Sequence, residues 1–460
     1  MDNFARHIER TLDEWADTPR TKPLLLRGAR QVGKTHALRE LGKRKFDDMA
    51  YVTLFNGDIR TMMSRVVSPS MLLDAIEAAT GVRPKPKTTL VVIDEIQEEP
   101  GLFPLLKTFG DEFPDIHLAA AGSYLGLALH ERLSFPVGAV RMLDMHPLSF
   151  MEFLRAVGDG RAADALERHE TDLVDALAER FEQRYRQYCV VGGMPAAVAA
   201  FIEYGYVAAR DVQNGLLKTY DLDFSKHPVA GVDVERIRMT YSTYIPDHLA
   251  QENNHRFVFS HIGKGARASM YEAAIQTIVD CGLAIRVPRT KIARNPLGIY
   301  ADEAAFKLYM HDVGLLGAAL GITARDVVAT DTGLIEYQGA MTEQYVCQQL
   351  VAAGLTPYYW VSGDSKYEVD FVFDSDQGIT PLEVKAGEGR KKASLSRCCE
   401  TYGLHGFRTS MRGYDQQDWM DNIPLWAIGS AFLPYDINDF KPDGGADLGP
   451  LPPLGPFVRD

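Results

Sequence analysis

A short stretch near the amino terminus has the residue types needed to hold a nucleoside triphosphate. Leu24–Thr35 (LLLRGARQVGKT) contains the pattern Gly28-x-x-x-x-Gly33-Lys34-Thr35, after an apolar run and before a helical pattern. Loop glycines allow backbone N–H groups to turn inward toward phosphate oxygens. The lysine of such a loop reaches the β- and γ-phosphates, and the threonine hydroxyl coordinates Mg²⁺. The stretch therefore predicts a phosphate-binding loop for ATP and Mg²⁺. The residues predicted to contact the nucleotide here are Gly28, Ala29, Arg30, Gln31, Val32, Gly33, Lys34, Thr35 and His36.

A second stretch supplies acidic side chains for the same chemistry. Thr89–Glu95 (TLVVIDE) is a run of β-branched and aliphatic residues that ends in Asp94 and Glu95. Such a run predicts a strand buried on both faces. In P-loop enzymes an aspartate at this position holds the Mg²⁺ shell, and an adjacent glutamate can polarise the attacking water as a general base. An acidic residue at the solvent boundary of a buried strand is the competing explanation.

Further along, one serine and two arginines are candidates for contacts with the γ-phosphate. Ile116–Ser123 (IHLAAAGS) predicts another strand with a polar tip, so Ser123 is a candidate sensor, and an ordinary turn is the alternative. Arg132 and Arg141 are candidates for an arginine finger that acts on a neighbouring subunit. For each of them a solvated surface arginine is the alternative.

A separate set of charged residues lies in the carboxyl-terminal half. Two predicted strands contain Glu368-Val-Asp370 and Leu382-Glu383-Val-Lys385, and the turn Ser375–Gly378 lies between them. A turn centred on residues 376 and 377 places Asp370 opposite Glu383, with Lys385 on the same face. Two carboxylates can hold a divalent metal, and the lysine can position or deprotonate a water.

Glu343, on the preceding predicted helix, is a candidate third carboxylate for this set. The arrangement is the kind that serves metal-assisted phosphodiester hydrolysis. A salt-bridged patch on a hairpin is the alternative, and the apolar neighbours Val369, Phe371 and Val384 argue against a purely surface role.

Two basic segments could contact a nucleic-acid backbone. The span Ile285–Tyr300 contains four cations and no acidic residue, in a chain with a formal net charge of −13. A solvated hairpin explains the span equally well. The predicted helix before it, Ser269–Cys281, has no Lys or Arg, which is unfavourable for reading a major groove. The second segment contains Arg390, Lys391, Lys392 and Arg397.

The elements that position these residues predict an α/β protein. Strands alternate with helices over the first half, which indicates a mostly parallel sheet with helices on both faces. A helix-rich region follows, and then a helix–turn–helix and hairpin pattern typical of a winged helix. The predicted domains are a P-loop ATPase domain (1–180), a helical and winged-helix-like region (181–330), a nuclease-like domain (331–438) and a Pro/Gly-rich tail (439–460) that we expect to be disordered.

Composition narrows the functional class. The five cysteines are scattered and form no CxxC pair, which argues against a disulfide framework or a zinc site. The amino terminus has no signal-peptide core, and no run of eighteen apolar residues exists. We therefore expect a cytoplasmic protein with no membrane partner.

At this point the sequence resembles a prokaryotic family that joins an AAA-type ATPase domain to a carboxyl-terminal region with a restriction-endonuclease-like PD-(D/E)xK core. The stretches that carry the resemblance are KPLLLRGARQVGKT, VVIDEIQ, AGSYLGL, FPVGAVRMLDMHPLSFMEFL, YCVVGGMPAAV, TYDLDFSK, FKLYMHDVGLL and EVDFVFDSDQGITPLEVKAG. They extend from about residue 22 to residue 390, which is nearly the full length.

The resemblance implies roles for specific residues. The matching positions are Gly28, Gly33, Lys34 and Thr35 for nucleotide, Asp94 and Glu95 for Mg²⁺ and catalysis, Ser123 as sensor, and Asp370, Glu383, Lys385 and Glu343 for the nuclease-like core. One position departs from the pattern. A basic residue often follows Pro-Val-Gly in such proteins, and here it is Ala139, so Arg141 would have to substitute.

Two hypotheses follow. The first is an Mg²⁺-dependent ATPase whose nucleotide state controls a nuclease-like domain acting on DNA or RNA. The second is a nucleotide-dependent switch or scaffold that recruits a protein partner, with a catalytically inactive nuclease-like fold. An arginine finger that acts on a neighbouring subunit would require a homo-oligomer.

Overall fold

The computed structural model describes residues 4–123, 138–226, 232–249, 257, 259, 267–328, 335–386 and 393–432. Its helices are α1 (Ile8–Asp17), α2 (Lys34–Lys45), α3 (Gly57–Met63), α4 (Pro69–Thr80), α5 (Phe103–Glu112), α6 (Phe150–Ala156), α7 (Gly160–Glu167), α8 (Thr171–Ala176), α9 (Ala178–Val191), α10 (Pro195–Tyr204), α11 (Tyr206–Lys226), α12 (Val234–Met239), α13 (Ile245–Leu249), α14 (Ala268–Asp280), α15 (Val313–Ala319), α16 (Ala324–Val328), α17 (Ile335–Ala352), α18 (Ala393–Tyr402) and α19 (Ile428–Ala431). Its strands are β1 (Leu24–Arg27), β2 (Asp48–Thr53), β3 (Thr89–Asp94), β4 (His117–Gly122), β5 (Arg141–Asp144), β6 (Ala284–Thr290), β7 (Ala301–Met310), β8 (Tyr358–Val361), β9 (Glu368–Ser375), β10 (Gly378–Val384), β11 (Gly406–Ser410), β12 (Asp415–Gln416) and β13 (Met420–Pro424).

The first sheet has five parallel strands in the order β2-β3-β4-β1-β5. Alternate residues of each strand pack in different hydrophobic cores, because successive side chains of a strand point to opposite faces of the sheet. Leu24 and Leu26 pack in a core with residues of α1 and α2, and Leu25 packs in another with residues of α4 and α5. The predicted parallel sheet with helices on both faces is therefore confirmed.

The second sheet is mixed and has eight strands in the order β12-β13-β11-β10-β9-β8-β6-β7. The antiparallel hairpin β6–β7 forms one end of this sheet, because β6 pairs in parallel with β8. The prediction that the hairpin is the wing of a winged helix is not confirmed, since the hairpin completes a larger sheet. The sheet takes strands from both sides of residue 330, where a domain boundary is predicted.

The described residues contain no helix that is both long enough and apolar enough to cross a membrane. All five cysteines are buried free thiols. The predicted Pro/Gly-rich tail lies outside the described residues.

Candidate functional site

The phosphate loop, residues 28–35, lies at the carboxyl end of β1 and runs into α2. Gly28 has φ +148°, and a Cβ there would lie 2.2 Å from the backbone oxygen of Met145. Gly33 has φ +107° and precedes the first residue of α2. These two positions require glycine because an L side chain rarely adopts such angles and the space beside Gly28 is filled. The loop conformation is thus dictated by the two glycines of the motif.

Lys34 directs its ammonium group into the loop. Its Nζ donates to the carbonyl oxygens of Gly28 (2.9 Å) and Ala29 (2.8 Å) and to Ser123 Oγ (3.0 Å). Burial lowers the pKa of Lys34 to about 8, although the charges of Glu95 and Asp94 oppose this shift. The structure therefore brings together the predicted phosphate-binding lysine and the predicted sensor serine. Phosphate oxygens in the loop would offer this ammonium charged acceptors.

Asp94 lies at the end of β3 beside the first turn of α2. Its Oδ2 accepts hydrogen bonds from Thr35 Oγ1 (2.6 Å) and from the Tyr51 hydroxyl (2.8 Å). Burial and the bond to Asp94 raise the pKa of Tyr51 to about 12, so Tyr51 remains a donor. A hydroxyl and a carboxylate side by side are the oxygen ligands that Mg²⁺ takes in proteins, and the pair fits the predicted ion. Tyr51 was not predicted, because nothing in the sequence marks its contact with β3.

Glu95 follows Asp94 with the backbone in the left-handed region, at φ +57°. Its N–H donates to Asp94 Oδ1 (3.0 Å), and its Oε2 accepts from Gln97 Nε2 (2.5 Å). Burial raises the pKa of Glu95. A carboxylate with a raised pKa accepts a proton more readily near neutral pH, as a general base must. Strained backbone at a non-glycine residue is common at catalytic positions.

Arg141 lies at the end of the first sheet that is opposite to the phosphate loop. It pairs with Leu24 at the start of β1, whereas the loop follows the end of that strand. Arg141 is therefore badly placed to reach the ATP site of its own chain, and its role as a finger between subunits stays a prediction beside the alternative of a solvated surface arginine. Ala139 lies in the turn before β5, and Arg132 lies outside the described residues.

Residues far along the chain cover the phosphate loop. Arg30 forms an ion pair with Asp223 of α11, whose side chain is fully buried. The Tyr220 hydroxyl, from the same helix, donates to the Arg30 carbonyl (2.8 Å). The turn at Gly282, after α14, also packs against the loop, since a Cβ there would lie 3.2 Å from Ala29 N. The phosphate loop is therefore in direct contact with α11 and with the turn after α14, which lie between the two sheets in chain order.

The second predicted set is carried by the hairpin β9–β10. The observed register pairs Ser375 with Gly378 and Phe371 with Leu382, so the turn is centred where the sequence predicts it. Asp370 and Glu383 follow one step beyond the last pair. Asp370 Oδ2 accepts from Val384 N (2.8 Å). This part of the local prediction is confirmed.

Lys385 contacts Glu383 directly, with its Nζ 2.5 Å from Glu383 Oε1. The other oxygen of this carboxylate, Oε2, is buried and has no hydrogen-bond partner among the residues that the structure describes. Lys385 therefore contacts one oxygen of the Glu383 carboxylate and leaves the other oxygen available to a ligand.

Lys307, on β7, was not predicted to belong to this set. Its Nζ lies 2.9 Å from Glu343 Oε1 and 2.9 Å from Glu368 Oε1, and its side chain is 1% exposed. The Tyr309 hydroxyl donates to the same oxygen of Glu343. Burial alone would lower the pKa of Lys307, but Glu343, Glu368 and Asp370 outweigh it and hold that pKa well above its ordinary value. A lysine inside the apolar run Phe306–Met310 is the signal that could have revealed a buried partner. We call Lys307, Glu343, Glu368, Asp370, Glu383 and Lys385 the carboxylate cluster.

The carboxylate cluster holds four carboxylates and two ammonium groups. Burial and the neighbouring carboxylates raise the pKa of Asp370 to about 8, and burial also raises the pKa of Glu383. The described residues contain no group of three His, Cys, Asp or Glu side chains arranged to hold a metal. Glu343, the predicted third ligand, is bound by Lys307 and Tyr309 instead. Asp370 and Glu383 remain, and the unpartnered Oε2 of Glu383 fits a divalent cation.

The basic span 285–300 is largely neutralised in the fold. Arg286, Arg289 and Lys291 lie against acidic side chains of α14 and β7. Arg294 lies against the ring of Tyr402, with 5.9 Å between its guanidinium carbon and the ring centroid. Three of the four predicted phosphate contacts are therefore engaged within the protein. Of the second basic segment, Arg397 is described and exposed, and the three cations at 390–392 lie outside the described residues.

Family models match three consecutive parts of the chain. Residues 20–154 match an AAA domain. Residues 182–326 and 338–428 match two domains of unknown function, DUF8612 and DUF4143. Residues 20–154 form an AAA-type P-loop ATPase domain. This AAA domain contains the phosphate loop, Asp94, Glu95 and Ser123, and it binds nucleotide. No curated protein matches the sequence.

Solved structures resemble the chain only weakly. The Orc1 protein of Aeropyrum pernix in complex with DNA is 13% identical, with a TM-score of 0.28 over 70% of this chain and 94% of that one. Drosophila ORC bound to DNA is 14% identical, with a TM-score of 0.26 over 68% and 94%. Cdc6p from Pyrobaculum aerophilum is 12% identical, with a TM-score of 0.26 over 71% and 96%.

Proposed function

We propose that the chain is an Mg²⁺-dependent ATPase whose nucleotide state controls a nuclease-like site acting on DNA or RNA. The observation that carries the proposal is the placement of two sets of phosphate-directed side chains, the phosphate loop and the carboxylate cluster, on two sheets that share one hydrophobic core.

In the AAA domain, Lys34 would bind the β- and γ-phosphates and Ser123 would contact the γ-phosphate. Thr35 and Asp94 would hold Mg²⁺, which neutralises charge on the phosphates when bound. Glu95 would orient the attacking water and accept its proton. Gln97 holds the Glu95 carboxylate in place for this step.

In the carboxylate cluster, Asp370 and Glu383 would hold one divalent cation, which would polarise a phosphodiester when bound. Lys385 would position the attacking water. Lys307 would offset one of the two charges of Glu343 and Glu368, which leaves Asp370 and Glu383 to face the cation.

Helix α17 supports the coupling between the two sets. Glu343 lies in its first half, and Gln349 Oε1, less than two turns later, accepts from Phe150 N (2.8 Å) at the start of α6. Gln348 Nε2 donates to the Tyr188 hydroxyl (2.9 Å), which itself donates to the Leu148 carbonyl. The segment before Leu148 contacts the phosphate loop at Met145. A shift of the phosphate loop would therefore change the contacts of α17, the helix that carries Glu343.

The ATPase part is tested by hydrolysis of ATP with Mg²⁺. We expect Lys34→Ala to abolish hydrolysis, because the charge that meets the phosphates is removed. Lys43→Ala is the matched control, since Lys43 is exposed on the same helix and contacts only Glu40 in the described structure. Equal rates for wild type and Lys34→Ala would refute the proposal.

The nuclease part is tested with labelled single- and double-stranded DNA and RNA in Mg²⁺ or Mn²⁺, with and without ATP. We expect cleavage that depends on Asp370, and Asp370→Ala should abolish it. Asp374→Asn, an exposed position on the same strand, is the control. If no nucleic acid is cut under any of these conditions, this part of the proposal fails while the ATPase part stands.

The second candidate is a nucleotide-dependent switch that recruits a protein partner. The neutralised basic span favours it, together with the net charge of −13 and the absence of Lys and Arg from α14. A nucleic-acid affinity that falls steeply with salt would count against it. An oligomer in which Arg141 reaches a neighbouring ATP site is compatible with both candidates.

A further inference from the structure

A third feature belongs to neither the phosphate loop nor the carboxylate cluster. A cavity of about 760 Å³ lies between the β8–β9 turn and α18. It is lined by aromatic, cationic and hydroxyl side chains, of which Tyr367, Tyr402, Lys366 and Arg397 matter here. We call it the aromatic pocket. Its volume falls in the range of ligand pockets, roughly 300–1,000 Å³.

The aromatic pocket lies on the other face of the second sheet from the carboxylate cluster. Tyr367 packs with apolar residues of α18, including Leu395 and Cys398. Its neighbour Glu368 contacts Lys307 on the α17 side. Adjacent residues in extended backbone point to opposite faces, which explains the separation. A ligand in the pocket would therefore not occupy the catalytic centre.

One wall of the pocket is a fixed aromatic ring. Trp360 is 2% exposed, and its Nε1 donates to the Tyr402 hydroxyl (3.3 Å). The two rings meet edge to face, with 6.0 Å between centroids. Arg294 of the basic span also lies against the Tyr402 ring, but it does not line the cavity.

The opposite wall is a tightly bonded turn. Ser362 Oγ accepts from the backbone N–H groups of Lys366 (3.2 Å) and Tyr367 (3.0 Å) and donates to Asp364 Oδ1 (2.6 Å). The turn thus holds Tyr367 half-exposed and Lys366 exposed at the rim. Arg397 is exposed on α18 across the cavity.

Two acidic side chains also line the pocket, and both are engaged. Asp364 bonds to Ser362 within the turn and lies 3.6 Å from Lys366. Glu400 Oε1 accepts from Ser396 Oγ (2.8 Å). The lining thus holds two cations, Lys366 and Arg397, and two carboxylates that are engaged by hydroxyl groups of the same walls.

We propose that the aromatic pocket binds single-stranded nucleic acid, with an unpaired base against the tyrosine rings and flanking phosphates at Lys366 and Arg397. Aromatic platforms bordered by Lys and Arg are the chemistry by which proteins hold single strands without sequence preference. A base that is paired and stacked in a duplex has no exposed face that could stack on the tyrosine rings. The choice of nucleic acid rests on the proposed function, and the pocket would hold the strand on the face of the second sheet opposite the carboxylate cluster.

The test is fluorescence anisotropy of a labelled oligothymidylate of about 20 nucleotides, longer than one site of roughly 4–16 nucleotides. The protein is the full chain with Asp370→Asn, so that the probe stays intact. We expect Tyr367→Leu to weaken binding about tenfold, because a stacked base loses its platform. Arg397→Glu should weaken binding and reduce the slope of log affinity against log salt by about 0.7 for each lost phosphate contact.

Arg168→Glu is the matched control, an exposed arginine of the helical region, and it should bind like the parent. Unchanged thermal unfolding midpoints show that the variants are folded. Equal affinities for Tyr367→Leu, Arg397→Glu and the control would overturn the proposal, as would a duplex bound as tightly as the single strand. Cleavage by the chain with Asp370 intact is measured separately. Cleavage with normal binding by the pocket variants refutes the pocket alone, and pocket-dependent binding without cleavage refutes the nuclease alone.

Discussion

The phosphate loop and the carboxylate cluster are assembled in different ways. The loop is one continuous segment whose glycines set its shape and whose lysine turns back onto its own carbonyls. The cluster joins a strand of the 182–326 match, a long helix and a hairpin of the 338–428 match. The loop is therefore defined locally, whereas the cluster exists only when the second sheet is complete. Substitutions in the two regions should consequently fail in different ways.

The largest effect is expected from Glu95→Gln, which removes the candidate general base and keeps its size. The rate of ATP hydrolysis should fall by roughly 10²–10⁴-fold, the usual contribution of general-base catalysis. Binding of a fluorescent ATP analogue and thermal stability should stay close to wild type. Glu99→Gln, four residues later, is the control and should retain its rate. If Glu95→Gln hydrolyses ATP at the wild-type rate, another group acts as the general base.

In the carboxylate cluster the corresponding change should act first on stability. Lys307→Met leaves the buried Glu343 and the half-buried Glu368 without their shared cation, and the loss of one partner costs about 3–5 kcal/mol in fully buried pairs. Urea unfolding measures this loss. Lys291→Met is the control, because Lys291 is exposed and its pair with Asp302 (3.7 Å) is worth about 1 kcal/mol or less.

A second variant separates charge from packing at this position. Adding Glu343→Gln to Lys307→Met removes one of the uncompensated carboxylates, so part of the lost stability should return. If the double variant is no more stable than Lys307→Met alone, the loss comes from packing, and the ammonium is not what holds the cluster together.

Gly28→Ala tests the claim that the glycines of the phosphate loop set its shape. The added Cβ would meet Met145 O at 2.2 Å with a φ of +148°, and overpacking of this kind costs about 1–3 kcal/mol. We expect weaker ATP binding and a lower unfolding midpoint. Gly57→Ala, where nothing lies within 4 Å of the new atom, is the control. If both variants behave alike, the loop is free to rearrange around the methyl group.

The contrast between the two regions also explains what the sequence could predict. The phosphate loop, the acidic end of β3 and the β9–β10 register all depend on neighbours within a few residues. Lys307 was missed because its partners Glu343 and Glu368 are 36 and 61 residues away in the chain. The winged-helix interpretation was not confirmed for a related reason, since β6 pairs in parallel with β8, which lies about seventy residues later in the chain. Asp223, which pairs with Arg30 of the loop, carries no local signal either.

The smallest effect concerns Asp312, which lies between the two regions. Its carboxylate is buried and accepts hydrogen bonds from Gly193 N (2.6 Å) and Leu315 N (3.0 Å). Burial raises the pKa of Asp312 to about 6, above the ordinary value near 4 that applies to the unfolded chain. Between these two pH values the folded state binds more protons than the unfolded state, so stability falls as pH rises from about 4 to about 6.

Asp312→Asn removes this titration and should flatten the pH dependence by about 2 kcal/mol across that interval, measured by urea unfolding at several pH values. The control is Asp326→Asn, because hydrogen bonds from Thr323 lower the pKa of Asp326, so this variant should give the opposite sign. An unchanged slope in Asp312→Asn would mean that the carboxylate is already solvated. The hydrogen bond from Gly193 N to Asp312 would then contribute nothing measurable to the pH dependence of stability, and the coupling through α17 would rest on the contacts of Gln348 with Tyr188 and of Gln349 with Phe150.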